Sequence, residues 1–284
     1  MSPIGPIWRA PAFVIAIAED CSTLNSMKPS PLFALATVML LLPARGGDTL
    51  VQISTIDALV RGIYDGSVSI GALKQFGDFG IGTLNALDGE MLALDGEFYQ
   101  ITADGRVHPI PDTAQTPFSA VTIFNSEKTA DLGKVDSLAA LQRRLDAETP
   151  SANLFYAVRI SGEFATMSLR SVPKQQPPYP PLPEVVKHQS VFKLEQVRGT
   201  LVGFRCPPYV QGINVPGYHF HFISDDRKSG GHVLDCAVIH ATAELDVLEN
   251  LKVMLPRDEA FLKADFTTHD KKAIEAVEKA MPTK

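Results

Sequence analysis

Two periodicities alternate along this chain. Over residues 56–64 (IDALVRGIY) apolar side chains fall at helical spacing and Gly66 follows as a stop, which predicts a short helix. After Gly71 the texture changes to short apolar runs, such as 91–94 and 98–101, punctuated by Asp88-Gly89, Asp95-Gly96 and Asp104-Gly105. Asp-Gly supplies the positive φ that tight hairpins need, so this segment reads as a β-meander. Residues 121–124 and 155–160 read as further strands, with an amphipathic helix over 134–146 (KVDSLAALQRRLD) between them.

Six prolines follow within 173–183, too many for a helix or a central strand. Beyond this link, 201–204, 218–223, 233–239 and 243–255 have strand character, and 271–280 closes the chain as an amphipathic helix with Ile274, Val277 and Ala280 on its apolar side. The expected fold is mixed α/β of the α+β kind: two β-rich halves with mostly antiparallel or mixed sheets, a few peripheral helices, and the C-terminal helix closing over the site described next. The expected divisions are an N-terminal extension at 1–47, a β-rich half at 48–172 and a second half at 173–284.

Of the 284 residues, 45% are hydrophobic and 20% charged, an ordinary globular composition. The formal charge of −6 and the lack of any run of five Lys/Arg leave no footprint for phosphate neutralisation, so nucleic acid is not an expected partner. Cys21, Cys206 and Cys236 are too few and too scattered for a disulfide framework. In the extension, Lys28, the apolar stretch 32–42 and the small residues around Ala44 and Gly46 form a signal-peptide-like segment at 27–46. Its apolar core is too short to span a bilayer, so the expectation is export without a membrane anchor.

The chemistry concentrates in one short region. His219 and His221 flank Phe220 in a strand-like run, and side chains at i and i+2 share a face. The polar, Gly-rich stretch 225–231 (DDRKSGG) is a natural reversal, and His232 opens the next strand. A hairpin there returns His232 beside His221. Three convergent imidazoles leave an open ligand position, the pattern of a catalytic metal site; spacing by itself does not choose zinc over iron, and cupin-like metal enzymes share the His-X-His pair.

The wider sequence narrows this. Residues 209–227 (YVQGINVPGYHFHFISDDR) and 230–235 (GGHVLD) resemble the metal-binding segment of the alpha-acetolactate decarboxylase family. So do 82–91 (GTLNALDGEM), 116–118 (TPF), 161–162 (SG), 170–175 (RSVPKQ), 178–182 (PYPPL) and 199–204 (GTLVGF), in the same order. The resemblance implies that His219, His221 and His232 bind zinc (Zn2+) and that Glu90, Arg170 and Glu278 are catalytic, with Glu275 as the competitor for the last place. It implies a homodimer acting on a small molecule: (S)-2-acetolactate goes to (R)-acetoin and CO2 through a zinc-stabilised enediolate, in acetoin and butanediol biosynthesis. In that chemistry Arg170 would orient the substrate carboxylate, while the two glutamates manage the hydroxyl and the proton.

Overall fold

The computed structural model describes residues 48–279. The signal-like segment 27–46, Cys21, Ala280 and the side chain of Glu275 lie outside the described positions.

The first elements are β1 (Thr49–Ile53), α1 (Ile56–Val60), β2 (Val68–Ser69), α2 (Ile70–Leu73) and β3 (Phe79–Thr83). The Asp-Gly meander follows as β4 (Glu90–Leu94), β5 (Glu97–Ile101) and β6 (Val107–Pro109), then β7 (Gln115–Thr116), β8 (Ser119–Thr122) and β9 (Lys128–Asp131). Asp95 and Gly96 both take positive φ in the two-residue turn between β4 and β5, the mirror-image turn that suits the twist of paired strands. Helix α3 (Leu138–Asp146) starts later than the periodicity indicated, because Ser137 accepts from the Ala140 amide and caps it there.

The remaining strands are long. β10 (Phe155–Ser171) precedes the Pro-rich stretch and the short α4 (Leu182–Val185); β11 (Ser190–Cys206), β12 (Gly217–Ser224), β13 (Gly230–Leu248) and β14 (Asn250–Met254) follow it. Two helices, α5 (Glu259–Lys263) and α6 (Lys271–Lys279), close the described chain. The expected strands at 233–239 and 243–255 are in fact one 19-residue strand followed by β14.

One sheet runs β14-β1-β8-β3-β4-β5-β6, with β1 and β14 parallel and its other pairs antiparallel. The second runs β10-β11-β12-β13-β9, and β10 also pairs with β13, so four strands close on themselves. The strands on either side of the Pro-rich stretch therefore share one sheet, while β14 joins the other. Alternation along β4 shows how the sheets stack. Leu92 and Leu94 pack with Ala157, Val202 and Ile223 of the second sheet, whereas Met91 and Ala93 face Ile70 and Leu73 of α2. Burial of both faces explains why β4 reads as an unbroken apolar run. Inside the closed strands, Phe164 meets Phe222 edge-on at 5.6 Å, within a core that includes Met167, Leu201 and the buried thiol of Cys236. A third cluster joins α1, α4 and α6 through Ile56, Leu59, Leu182, Ile274 and Val277. Among the described residues no helix is long and apolar enough to cross a membrane.

Candidate metal centre and active site

Strand register builds the site. His221 on β12 pairs with His232 on β13, and His232 pairs with Arg170 on β10, so three functional side chains stand in one row across adjacent strands. His219, two residues before His221, shares its face. The expected reversal is present, with Gly230 and Gly231 at the start of β13. Ring centroids of the three histidines lie 4.8 to 5.6 Å apart, and one ligand atom from each falls within 4.8 Å of the others.

Protonation states favour a cation here. Burial, followed by Arg170, drives His219 down to about 3; burial also holds His221 and His232 well below the ordinary value of 6.5. All three are therefore neutral near pH 7, as metal ligation requires. His221 Nδ1 lies 2.8 Å from the Met91 carbonyl on β4. A carbonyl only accepts, so Nδ1 carries the proton and Nε2 presents a lone pair; that Nε2 is buried and without a hydrogen-bond partner. A backbone carbonyl fixing the tautomer of a ligand is the usual outer-shell arrangement. His219 Nε2 and His232 Nδ1 are 3.1 Å apart, close to the ~3.3 Å between two ligands at 2.0–2.1 Å in tetrahedral zinc. The residues present thus fit a metal ion.

Glu90 opens β4 with Oε2 3.5 Å from His221 Nε2 and Oε1 3.5 Å from Arg170 Nη1. Glu278, on α6, places Oε2 3.7 Å from His232 Nε2 and 3.9 Å from His219 Nε2. Desolvation pushes both carboxyl groups up to about 7 against the opposing pull of Arg170. Arg170 is 5% exposed, and its Nε is buried without a partner. Glu90, Arg170, Glu278 and the three histidines are brought to this one place, on elements spread from β4 to α6.

A small chamber of about 40 Å³ beside the histidines is walled by Ile56, Leu59, Leu87, Val172 and Leu182, with Thr83 at its edge. A larger cavity of about 700 Å³ opens between α3 and α6, and His219, His232 and Glu278 line both. Glu90, Arg170 and His221 line the chamber alone. Sequence reasoning missed the Met91 carbonyl, which has no side-chain signal, and the left-handed segment just ahead of the Asp88-Gly89 turn that delivers Glu90. There Ala86 and Leu87 take positive φ (62° and 54°), held by Ala86 N–H to Tyr64 O and Gln175 N–H to Ala86 O. Non-glycine residues adopt such angles only where the surroundings impose them.

A family model described as alpha-acetolactate decarboxylase matches residues 50–268. The chain belongs to the alpha-acetolactate decarboxylase family. An alpha-acetolactate decarboxylase of Methanosarcina mazei is 49% identical over 232 residues, 82% of this chain and 81% of that protein. The one from Bacillus subtilis strain 168 is 40% identical over 219 residues, 77% of this chain and 86% of that protein. The X-ray structure of alpha-acetolactate decarboxylase from Bacillus subtilis strain 168 superimposes with a TM-score of 0.79 at 39% identity, covering 81% of this chain and 99% of that one. These decarboxylases share the α+β fold, so the two-sheet scaffold around the histidines belongs to the family.

Proposed function

We propose that this member of the acetolactate decarboxylase family removes CO2 from (S)-2-acetolactate to leave (R)-acetoin, with zinc held by His219, His221 and His232. The observation that carries the reading is a triad of neutral imidazoles, two buried and His219 half-buried, one with its tautomer fixed so that Nε2 has a lone pair and no partner. When bound, a zinc ion supplies a Lewis acid for oxygens that gain negative charge.

The reaction breaks the bond between C2 and the carboxylate carbon. Its electron pair moves toward the neighbouring carbonyl, and one proton per turnover must arrive at C2. Arg170 meets the need to orient the carboxylate: a buried guanidinium whose Nε lacks a partner offers a planar fork to an incoming anion. Glu90 and Glu278 meet the need for proton management. One stands beside His221 and the other beside His219 and His232, so each reaches a different side of a substrate seated at the histidines. Delivery from one fixed side makes the acetoin a single enantiomer. The apolar walls of the chamber exclude water, which strengthens every charge interaction within it.

The test is acetoin formation by purified protein with acetolactate, before and after chelation and after zinc is returned. Activity that disappears with about one zinc per chain and returns with it is expected. Full turnover by metal-free protein would refute the reading.

A further inference from the structure

Glu278 differs from the other groups at the site in its support. Arg170 and the histidines sit in paired strands and Glu90 opens one, whereas Glu278 rides on a nine-residue helix at the end of the described chain. Helix α6 buries Ala273, Ile274 and Val277 against α1 and α4. Apolar packing of this kind is non-directional; it does not by itself set where along its axis a short helix stops. Something must fix its start.

The residues just ahead of α6 are tied to α1 at several points. His269 Nδ1 lies 2.5 Å from Asp57 Oδ2, so the ring N–H donates to the carboxylate. Arg61 Nη2 donates to the Thr268 carbonyl at 2.5 Å, and its guanidinium lies over the Phe266 ring at 5.2 Å. Asp57 is 2% exposed, its Oδ1 has no partner, and Arg61 Nη1 stands 3.6 Å from Oδ2. A buried carboxylate with half its acceptor capacity unmet depends heavily on the donors it has. The approach is tight as well: a Cβ on Gly212, whose φ is +85°, would lie 2.5 Å from His269 Nδ1. Asp270 then caps α6 by accepting from the Ala273 amide. On α1, Asp57 sits between Ile56 and Leu59, which wall the chamber. The clamp thus joins a wall of the chamber to the helix that carries Glu278.

We propose that Asp57, Arg61 and His269 form a positioning clamp that fixes the start of α6 and so holds Glu278 at the three-histidine site. The inference rests on the reading of Glu278 as a group that acts there. An ion pair of purely structural worth would contribute to stability and leave the placement of Glu278 alone. The clamp makes a sharper claim: its contribution to turnover passes entirely through Glu278.

The experiment is a double-mutant cycle in the full chain with His269→Ala, Glu278→Gln and the pair. Kinetics on zinc-loaded protein are combined with amide exchange of residues 271–279 in metal-free protein. His269→Ala should lower kcat by about tenfold or more with metal content unchanged. It should also speed exchange in α6 about tenfold while β12 and β13 keep their protection, as local release of one element implies. The double variant should be no slower than Glu278→Gln alone. His269→Gln, whose amide N–H can still donate to Asp57, should recover most of the loss in both readouts. Unchanged exchange and kcat in His269→Ala overturn the clamp, as do losses that multiply in the double variant. Full activity in Glu278→Gln would instead remove the role assigned to Glu278, and α6 exchange in His269→Ala still decides whether the clamp docks the helix.

Discussion

Arg170 offers the sharpest separation of function from structure. Its guanidinium is buried at 5% exposure, touches Glu90 only at 3.5 Å, and leaves Nε without a partner. A group built for stability alone would not leave a buried donor unmet, since that omission costs on the order of 1–3 kcal/mol. The donor is explained if a substrate carboxylate completes it. Arg170→Lys keeps the positive charge and replaces a rigid two-pronged donor by a point charge. Loss of one of two parallel bonds corresponds to about 1.4 kcal/mol of transition-state binding, so kcat/KM for acetolactate should fall roughly tenfold or more. Metal content should not change, because Arg170 is not among the three proposed ligands. Steady-state acetoin formation gives the first number, and metal analysis of the same preparation gives the second. A thermal melt closes the comparison: in a domain this size each kcal/mol of lost stability lowers Tm by about 2–4 °C, so a purely structural role would lower Tm and leave kcat/KM intact. An unchanged kcat/KM in Arg170→Lys would refute the assignment.

Two further outcomes concern the site and one a buried carboxylate away from it. His219→Ala and His232→Ala should each abolish turnover and reduce bound metal from about one per chain toward zero, as read by metal analysis. Glu278→Gln should retain metal and lower kcat by a factor on the order of 10²–10⁴, the range for a positioned acid–base group; near-normal turnover would remove Glu278 from the chemistry. Asp246 is fully buried; desolvation, then the acidic neighbours Glu127, Asp48 and Asp78, outweigh its hydrogen bond from the Asn125 amide and push it from 3.8 up to about 6. The folded state therefore binds this proton more tightly than the unfolded chain, so its contribution is fully present below about pH 4 and is lost as pH rises through about 6. Asp246→Asn should remove that slope and gain up to about 3 kcal/mol over wild type at pH 7.5 relative to pH 4 in denaturant melts; parallel curves for the two proteins would contradict it.

The histidine triad was legible because it obeys strand arithmetic: a period of two places His219 and His221 together, and a Gly-Gly reversal returns His232. The same arithmetic located the Asp-Gly meander. It failed for strand length. Between 233 and 248 the exposed His240 and half-buried Thr242 and Glu244 alternate with buried Ala241, Ala243 and Leu245, and the polar members suggested a break where the strand continues. β9 was missed because residues 128–131 (KTAD) carry no apolar pattern; it is held by its ladder to β13. Glu90 and Arg170 were visible only through family resemblance, for nothing local separates a carboxylate beside a turn or a buried arginine from the structural kind. The left-handed Ala86 and Leu87 had no signal at all, since neither residue type prefers that angle.

The groups proposed to carry the reaction are also those that folding would be expected to avoid. Glu90, Arg170, His221 and His232 are buried, with the half-buried His219 and Glu278 within a few ångströms of them, and buried polar atoms of Arg170 and His221 have no partner. Each would cost stability in an idle protein. The scaffold offsets this by placing most of them in hydrogen-bonded strands with an apolar core on the other face, in a sheet closed by the β10–β13 pairing. The closed ladder lets an arginine and two histidines stand in one cross-strand row without local collapse, because the row is fixed by register and not by the side chains themselves. Glu278 alone lacks that support, and the ties between α1 and the residues ahead of α6 take its place.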